Sequence, residues 1–256
     1  MYKGFLIDLD GVAYWGQKLI PTCRDFISKC YEKGLKFCFV TNNSSRTVDE
    51  VFNHLSLLGY KLTKDNIITS SEVTVNYIVN ENKTAKVYLI GMEGIKSELL
   101  KHNVTLEEIY SDYVVIGLDF QLNYEKLAKA CEEIFNGAKF ISTNSDFRLS
   151  RGNGIAPGNG SLTKVIELVT NVKPIYMGKP QPEMLEYGLK KLGLPKTEVA
   201  VIGDNYYTDI LGAYNIGVDS IFVETGVMKI KDLQAFSKQP TLIVRNLLEL
   251  FGKDII

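Results

Sequence analysis

Short apolar runs alternate with longer amphipathic segments along this chain. The apolar runs are rich in β-branched and aromatic residues, which favours strands, and the segments between them are typical of helices. Regular alternation of this kind predicts an α/β fold in which helices flank a parallel sheet. We predict strands over residues 5–9, 36–40, 86–90, 113–118, 139–142, 175–177, 199–202, 220–223 and 242–244.

Two of the intervening segments carry clear helix signals. Thr47 begins the sequence T-V-D-E, a capping box, and the run that follows it ends at Gly59. Pro182 follows Gln181 at the start of a second run, which ends at Gly193. Both runs are therefore predicted to be helices.

Composition excludes several classes of protein. Among 256 residues, 29 lysines and arginines nearly balance 30 aspartates and glutamates, so no nucleic-acid or membrane surface is indicated. The first apolar run begins within a few residues of Met1, and no secretion signal precedes it, so we expect a cytoplasmic protein.

The cysteines and histidines indicate neither a disulfide framework nor a soft-ligand metal centre. The four cysteines form no C-x-x-C pair and lie among apolar or helical residues, so they are predicted to be reduced thiols. Cys23 and Cys30 lie roughly 10 Å apart along a predicted helix, which is too far for a disulfide. The chain has only two histidines, His54 and His102, so neither a histidine metal site nor a Ser-His-Asp triad is favoured.

Polar residues follow the predicted strands, where open parallel sheets bind their ligands. Asp8 and Asp10 come at the end of the first strand, and side chains two positions apart project together if the strand continues that far. Two crowded carboxylates require a cation, a proton or a chemical task. Thr41 and Asn42 follow the second strand in a run of small polar residues that could bind an anion or simply form a turn.

Two further elements lie near the other end of the chain. Lys179 stands between Gly178 and Pro180, just after a predicted strand, where an ammonium could neutralise an anion, although most lysines are solvated. Asp204 ends the strand over 199–202, and Asp209 follows five positions later. Asp204 could equally cap the helix that follows.

Taken in order, the motifs D-x-D-G, T-N-N-S-S, G-K-P and G-D-x-x-x-x-D resemble those of the haloacid dehalogenase superfamily. The phrases TNNSSRT, YVVIGLD, APGNGSLT and GKPQPEM extend the resemblance to its NagD and 4-nitrophenylphosphatase-like branch. The resemblance implies a doubly wound, Rossmann-like core with a smaller α/β cap domain inserted. Only about thirty residues separate Asp10 from Thr41, whereas the stretch between Asn42 and Lys179 contains several strand candidates. We therefore predict a core of residues 1–81 and 177–256 and a cap of residues 82–176.

The same resemblance implies a Mg²⁺-dependent phosphatase that acts on small phosphate monoesters. Asp8 would attack phosphorus to give an aspartyl-phosphate, and Asp10 would serve as general acid and then as general base. Mg²⁺ would be held by Asp8, the backbone carbonyl of Asp10 and Asp204, an oxygen-only ligand set.

The remaining motif residues would bind the phosphoryl group. By resemblance, Thr41, the amide of Asn42 and Lys179 would gather the phosphoryl oxygens. Asp209 would orient Lys179 or a metal-bound water.

Substrate choice is expected to reside in the cap. The segment 142–146 resembles a T-N-P-D motif of this branch, with Ser145 in place of proline. Asn144 and Asp146 either contact the leaving group or form a side-chain-stabilised turn. The glycine-rich stretch over 152–161 matches no nucleotide-binding motif and is predicted to be a structural loop.

Other functions compatible with the motifs are a phosphotransferase or mutase, and a catalytically silent protein that binds a phosphometabolite. A dehalogenase is disfavoured because that chemistry needs neither Asp10 nor a metal-binding Asp204. The expected partner is a small phosphate ester, and the resemblance permits a homodimer.

Overall fold

The computed structural model describes residues 1–151 and 154–252. The strands are β1 (Gly4–Asp8), β2 (Tyr14–Trp15), β3 (Lys18–Leu19), β4 (Lys36–Thr41), β5 (Ile67–Thr69), β6 (Lys86–Ile90), β7 (Thr105–Leu106), β8 (Tyr113–Ile116), β9 (Lys139–Ser142), β10 (Arg148–Arg151), β11 (Gly154–Pro157), β12 (Ile175–Tyr176), β13 (Val199–Gly203), β14 (Asp219–Val223) and β15 (Leu242–Val244). The α-helices are α1 (Pro21–Glu32), α2 (Val48–Leu57), α3 (Ser70–Glu81), α4 (Glu93–Lys101), α5 (Tyr124–Phe135), α6 (Asn159–Thr170), α7 (Pro182–Leu192) and α8 (Leu211–Ile216). Short 3₁₀ turns cover Lys64–Asn66, Lys196–Glu198, Ile230–Ala235 and Leu247–Gly252.

The chain divides into two compact units. The first contains Met1–Thr41, Asp49–Ile68 and the residues from Lys179 onward, and the second contains Asn42–Val48 and Thr69–Gly178. The residues predicted as the cap, 82–176, all fall in the second unit, which also takes in 42–48, 69–81 and 177–178. The domain boundaries at 82 and 176 stay a prediction.

The first unit is built on a six-stranded sheet with the order β15-β14-β13-β1-β4-β5. β1 pairs in parallel with β13 on one side and with β4 on the other, and β13, β14 and β15 continue in parallel. The chain therefore winds outward from β1 in both directions. A doubly wound sheet of this kind leaves a crevice at the carboxyl ends of its central strands, where the order reverses.

Burial on both faces explains why the central strands are almost wholly apolar. Phe5, Leu6 and Ile7 of β1 are fully buried, as are Val201 and Ile202 of β13. The helices that cover them present apolar stripes, with four buried residues on α1 and five on α7.

The second unit contains a five-stranded sheet with the order β12-β9-β8-β6-β7, in which neighbouring strands pair in parallel. Part of its core lies between this sheet and helices α5 and α6. Val114, Ile116, Ile134, Phe140 and Ile166 belong to this buried cluster.

The fold class is confirmed, and each predicted strand is present to within two residues at either end. The two predicted helices are α2 and α7. Gln181 is the N-cap residue of α7, and Gly193 ends that helix in the left-handed conformation that glycine adopts without strain. The cysteines are free, as predicted. None of the helices in the described part of the chain is long and apolar enough to cross a membrane.

The predictions missed the short strands β2, β3, β5, β7, β10 and β11 and were wrong about part of the glycine-rich stretch. Residues 154–157 form β11, which pairs antiparallel with β10 instead of forming a loop, whereas Gly152 and Asn153 lie outside the described residues. Gly158 and Gly160 are needed for close packing, because a Cβ at either would lie within 2.5 Å of a backbone oxygen of the segment 145–146. A hairpin of two four-residue strands leaves too little periodicity for a sequence pattern to reveal it.

Candidate active site

The central strands of the first unit bring the predicted motifs to one edge of the sheet. Ile7 of β1 lies opposite Ile202 of β13, and Asp8 lies opposite Val40 of β4. Asp204 directly follows β13. Parallel pairing in this register therefore places the polar residues that end all three strands side by side.

Three carboxylates form a cluster at this edge. Asp8, Asp204 and Asp209 each offer one oxygen, and these oxygens lie within 4.8 Å of one another. Asp204 and Asp209 are at most 1% exposed. Oxygen donors alone, without sulfur or nitrogen, suit a hard cation such as Mg²⁺, so the residues present fit the predicted metal.

Asp209 reaches the cluster from a π-helical turn, Tyr206–Ile210, that precedes α8. One of its carboxylate oxygens accepts the backbone N–H of Asn205 at 3.2 Å. A Cβ on Gly203 would lie 2.1 Å from the carboxyl carbon of Asp209. Only glycine at the end of β13 therefore leaves room for this side chain.

Lys179 is the cation of the cluster and is only 2% exposed. Its ammonium donates to Asp8 Oδ1 at 2.5 Å, to Asp209 Oδ1 at 2.7 Å and to the backbone carbonyl of Val40 at 3.2 Å. Burial acts to lower the pKa of Lys179, but the charges of Asp209 and Asp8 outweigh it and raise that pKa above its ordinary value. Lys179 is therefore charged at neutral pH.

Burial dominates the electrostatics of the acidic residues. It raises the pKa of Asp8 well above its ordinary value, and the charges of Asp209 and Asp204 raise it further, whereas Lys179 lowers it. Burial and the charge of Asp209 raise the pKa of Asp204 to about 7. One ammonium does not offset three carboxylates, so a bound cation would stabilise their ionised forms.

Asp10 lies beyond the end of β1. β1 ends at Asp8, and Asp10 is an exposed residue of the following turn, where it forms an isolated bridge with Tyr14. The strand does not continue to Asp10, so the condition under which Asp8 and Asp10 would project from one strand face is not met. The carboxylates that raise the pKa of Asp8 come from Asp204 and Asp209, which lie far along the chain.

The predicted phosphate-binding residues divide between the two units. Thr41 ends β4 in the first unit and is buried, and Lys179 lies in the same unit. Asn42 belongs to the second unit, where its side-chain amide donates to both carboxylate oxygens of Asp146 at 3.2 Å. The amide of Asn144 donates to the backbone carbonyl of Asn42 at 2.8 Å.

The segment 142–146 therefore packs around Asn42 within the second unit. The backbone N–H of Asp146 donates to Asn144 Oδ1 at 3.1 Å, which is the side-chain-stabilised turn that the sequence allowed. A Cβ on Gly178 would lie 2.6 Å from Asn42 Oδ1, so glycine there permits close approach. Contact of Asn144 or Asp146 with a leaving group stays a prediction.

Sequence reasoning missed the segment 225–227. The backbone N–H of Val227 donates to Asp204 Oδ2 at 2.5 Å, and the Thr225 hydroxyl donates to the carbonyl of Gly11 at 2.7 Å. These residues follow β14, whose carboxyl end lies at the same sheet edge as those of β1 and β13. Glu224 is the first polar residue after the strand predicted over 220–223, whereas Val227 bonds Asp204 through its backbone, so no sequence signal indicates this contact.

Comparison with known proteins agrees with this geometry. Residues 5–105 match the family model of the haloacid dehalogenase-like hydrolases, and residues 176–250 match a second, related model. The chain belongs to the haloacid dehalogenase-like hydrolases.

Relatives of this haloacid dehalogenase-like chain include phosphatases of similar length. It is 40% identical to the 5′-nucleotidase YutF of Bacillus subtilis, over 97% of both chains. It is also 40% identical to an acid sugar phosphatase of Staphylococcus aureus, over 98% of both. These relatives confirm the predicted enzyme class, a hydrolase of phosphoric monoesters.

Solved structures of the same family support the fold. A thermostable NPPase from Geobacillus stearothermophilus superposes with a TM-score of 0.92 at 40% identity, covering 97% of each chain. A 4-nitrophenylphosphatase from Thermotoga maritima gives 0.94 at 32% identity, covering 98% of this chain and 97% of that one.

Proposed function

We propose that this protein is a Mg²⁺-dependent phosphatase that hydrolyses small phosphate monoesters through an aspartyl-phosphate on Asp8. The observation that carries the proposal is the cluster of Asp8, Asp204 and Asp209 around the buried ammonium of Lys179. Relatives named as a 5′-nucleotidase, an acid sugar phosphatase and a 4-nitrophenylphosphatase support it.

Asp8 suits the role of nucleophile because its carboxylate is held in one orientation. The bond from Lys179 to Oδ1 fixes the side chain, and β1 fixes the backbone behind it. An ionised carboxylate can attack phosphorus directly, which divides hydrolysis into two in-line displacements. Asp8 must be ionised for this step, and the positive charge of Lys179 favours that form.

Asp10 suits the transfer of protons because it is exposed and follows Asp8 closely. A carboxylic acid there could protonate the departing alkoxide. The carboxylate left behind could then take a proton from the water that hydrolyses the aspartyl-phosphate.

The metal would be held by Asp8, Asp204 and the backbone carbonyl of Asp10. When bound, Mg²⁺ supplies positive charge that offsets the charge of the carboxylates and of the phosphoryl oxygens. Asp209 bonds Lys179 at 2.7 Å, which supports its predicted role of orienting that ammonium. Asp209 is also near enough to the other carboxylates to ligate a cation itself.

Thr41, Asn42 and Lys179 would bind the remaining phosphoryl oxygens. Nucleoside monophosphates, sugar phosphates and aryl phosphates are the substrate classes that we propose. Asn144 and Asp146 would influence the choice among them, and their bonds to Asn42 provide a physical route. A cytoplasmic location and a homodimer remain predictions.

Release of inorganic phosphate from a panel of these monoesters, with and without Mg²⁺, tests the proposal. Asp8→Asn keeps the size of the side chain and removes the nucleophile, so turnover should fall by at least about 10³-fold. Asp49→Asn is the matched control, because Asp49 is an exposed residue of α2 paired with Lys64. Its turnover should stay at the wild-type value.

Two results would contradict the proposal. Wild-type turnover in Asp8→Asn would exclude the aspartyl-phosphate, and full activity after thorough chelation would exclude the metal. Transfer of phosphate to added alcohols with little free phosphate would favour a phosphotransferase. No turnover across the panel would favour a binding protein.

A further inference from the structure

The loop over residues 225–227 makes three hydrogen bonds to Asp204 and to the segment 11–15, although none of its residues belongs to a predicted motif. The backbone N–H of Val227 donates to Asp204 Oδ2 at 2.5 Å. The Thr225 hydroxyl donates to the carbonyl of Gly11 at 2.7 Å. The backbone carbonyl of Thr225 accepts the indole N–H of Trp15, also at 2.7 Å. We call residues 225–227 the Asp204 clamp.

Two glycines enclose the carboxylate of Asp204. A Cβ on Gly226 would lie 1.7 Å from Asp204 Oδ2 and 2.0 Å from its carboxyl carbon, far inside van der Waals contact. A Cβ on Gly11 would lie 2.6 Å from the same oxygen and 2.9 Å from the Cα of Gly226. The backbone of the clamp and the turn that contains Asp10 therefore meet across this carboxylate.

Such close packing gives Asp204 one orientation. Asp204 is only 1% exposed, so its carboxylate depends on donors from the protein or on a cation instead of water. The N–H of Val227 is such a donor, and its bond to Oδ2 also sets the plane in which the carboxylate lies.

We propose that the Asp204 clamp sets the Mg²⁺ affinity of this enzyme, with Thr225, Gly226 and Val227 as positioning residues for Asp204. The inference rests on the proposed function, because it takes Asp204 as a Mg²⁺ ligand. The Thr225 hydroxyl also bonds the backbone carbonyl of Gly11. Gly11 directly follows Asp10, whose backbone carbonyl is predicted to bind the same ion. Groups that orient a metal ligand typically change affinity by 10- to 100-fold when they are removed.

Gly226→Ala is the direct test, because a methyl group there displaces the Asp204 carboxylate. Isothermal titration of Mg²⁺ into the metal-free protein should show affinity at least about tenfold weaker than in wild type. Gly252→Ala is the matched control, because a Cβ at Gly252 meets nothing within 4 Å and its backbone is outside the left-handed region. Its Mg²⁺ affinity should equal that of wild type.

Thr225 provides a second test that does not depend on new bulk. Thr225→Val keeps the shape of the side chain but removes the hydroxyl, and should weaken Mg²⁺ binding about threefold or more. Thr225→Ser restores the hydroxyl and should recover most of the affinity, which a general loss of packing would not allow. If Gly226→Ala does not fold, this pair decides the question.

Trp15 gives an independent optical readout. It is the single tryptophan of the chain, and its indole bonds directly to the clamp. Its emission should report whether the clamp is intact in each variant before Mg²⁺ is added.

The outcomes separate the clamp from the function. If Gly226→Ala and Thr225→Val bind Mg²⁺ as tightly as wild type, the proposed role of the Asp204 clamp is wrong. The proposal of a Mg²⁺-dependent phosphatase would not be affected by that result. A wild-type protein that neither binds Mg²⁺ nor releases phosphate in its presence would overturn the proposed function, and the clamp with it.

Discussion

Replacing Lys179 with methionine removes the buried cation and leaves Asp8 and Asp209 facing each other without compensation. Lys179 and Asp209 are almost fully buried, and the side chain of Asp8 is 14% exposed. Removing one partner of a buried ion pair typically costs 3–5 kcal/mol, because the remaining charge stays desolvated. We expect the metal-free variant to lose about 3–5 kcal/mol of unfolding free energy at about pH 8.

The loss should depend on pH with a defined sign. Without Lys179, the pKa of Asp8 in the folded protein rises further, because the one charge that lowers it is gone. The folded variant then binds a proton that the unfolded chain releases, so its stability increases as the pH falls. The deficit relative to wild type should therefore shrink between about pH 8 and about pH 5.5.

Urea unfolding in the presence of a chelator, followed by the emission of Trp15, measures this effect in the first unit. Lys3→Met is the matched control, since Lys3 also pairs with a carboxylate, that of Glu198 at 2.7 Å, but its side chain is 62% exposed. Exposed pairs contribute about 0–1 kcal/mol, so this control should lose little stability at either pH.

Phosphatase activity gives a second readout of the same substitution. Loss of one preformed charge at the phosphoryl group should lower turnover by about 10²–10³-fold or more. The buried charge cluster would be refuted by two results together. Lys179→Met would be as stable as Lys3→Met at about pH 8, and its loss of unfolding free energy relative to wild type would not change at lower pH.

Two further predictions concern the metal and the second unit. Because burial and Asp209 raise the pKa of Asp204 to about 7, protons should compete with Mg²⁺, and affinity measured by calorimetry should increase from about pH 6 to about pH 8. An affinity that is independent of pH in this range would contradict the ligand assignment. Asp146→Ala removes two acceptors of the Asn42 side-chain amide, so the KM for 4-nitrophenyl phosphate should rise about two- to tenfold, with kcat less affected. Ser145→Ala in the same turn is the control, and an equal KM in the two variants would show that Asp146 does not act through Asn42.

Much of the fold could be predicted because buried strands appear in the sequence as apolar runs. A strand such as β13, covered on both faces, must be apolar throughout, and its first polar residue then marks the strand end. That rule located Asp8, Thr41 and Asp204 without any structure. It failed for six strands of only two to four residues, β2, β3, β5, β7, β10 and β11.

Adjacency in sequence was a poor guide to which charges meet. Asp10 is two residues from Asp8, but β1 ends between them and Asp10 lies in an exposed turn. Lys179 is 171 positions from Asp8 and bonds it directly. A π-helical turn, which has no sequence signature of its own, carries Asp209 into the cluster.

By itself, the sequence determined the α/β class, most of the strands and the residue types available for phosphate chemistry. The strand order, with β1 between β13 and β4, was decided only by the tertiary structure. It explains physically how Asp8 meets Asp204, Asp209 and Lys179, which the sequence had associated only through the family resemblance. The tertiary structure alone revealed the Asp204 clamp, because the bond from Val227 is a backbone contact that any residue except proline can make. Local patterns record burial, whereas the order of strands in a sheet depends on how distant segments pack together.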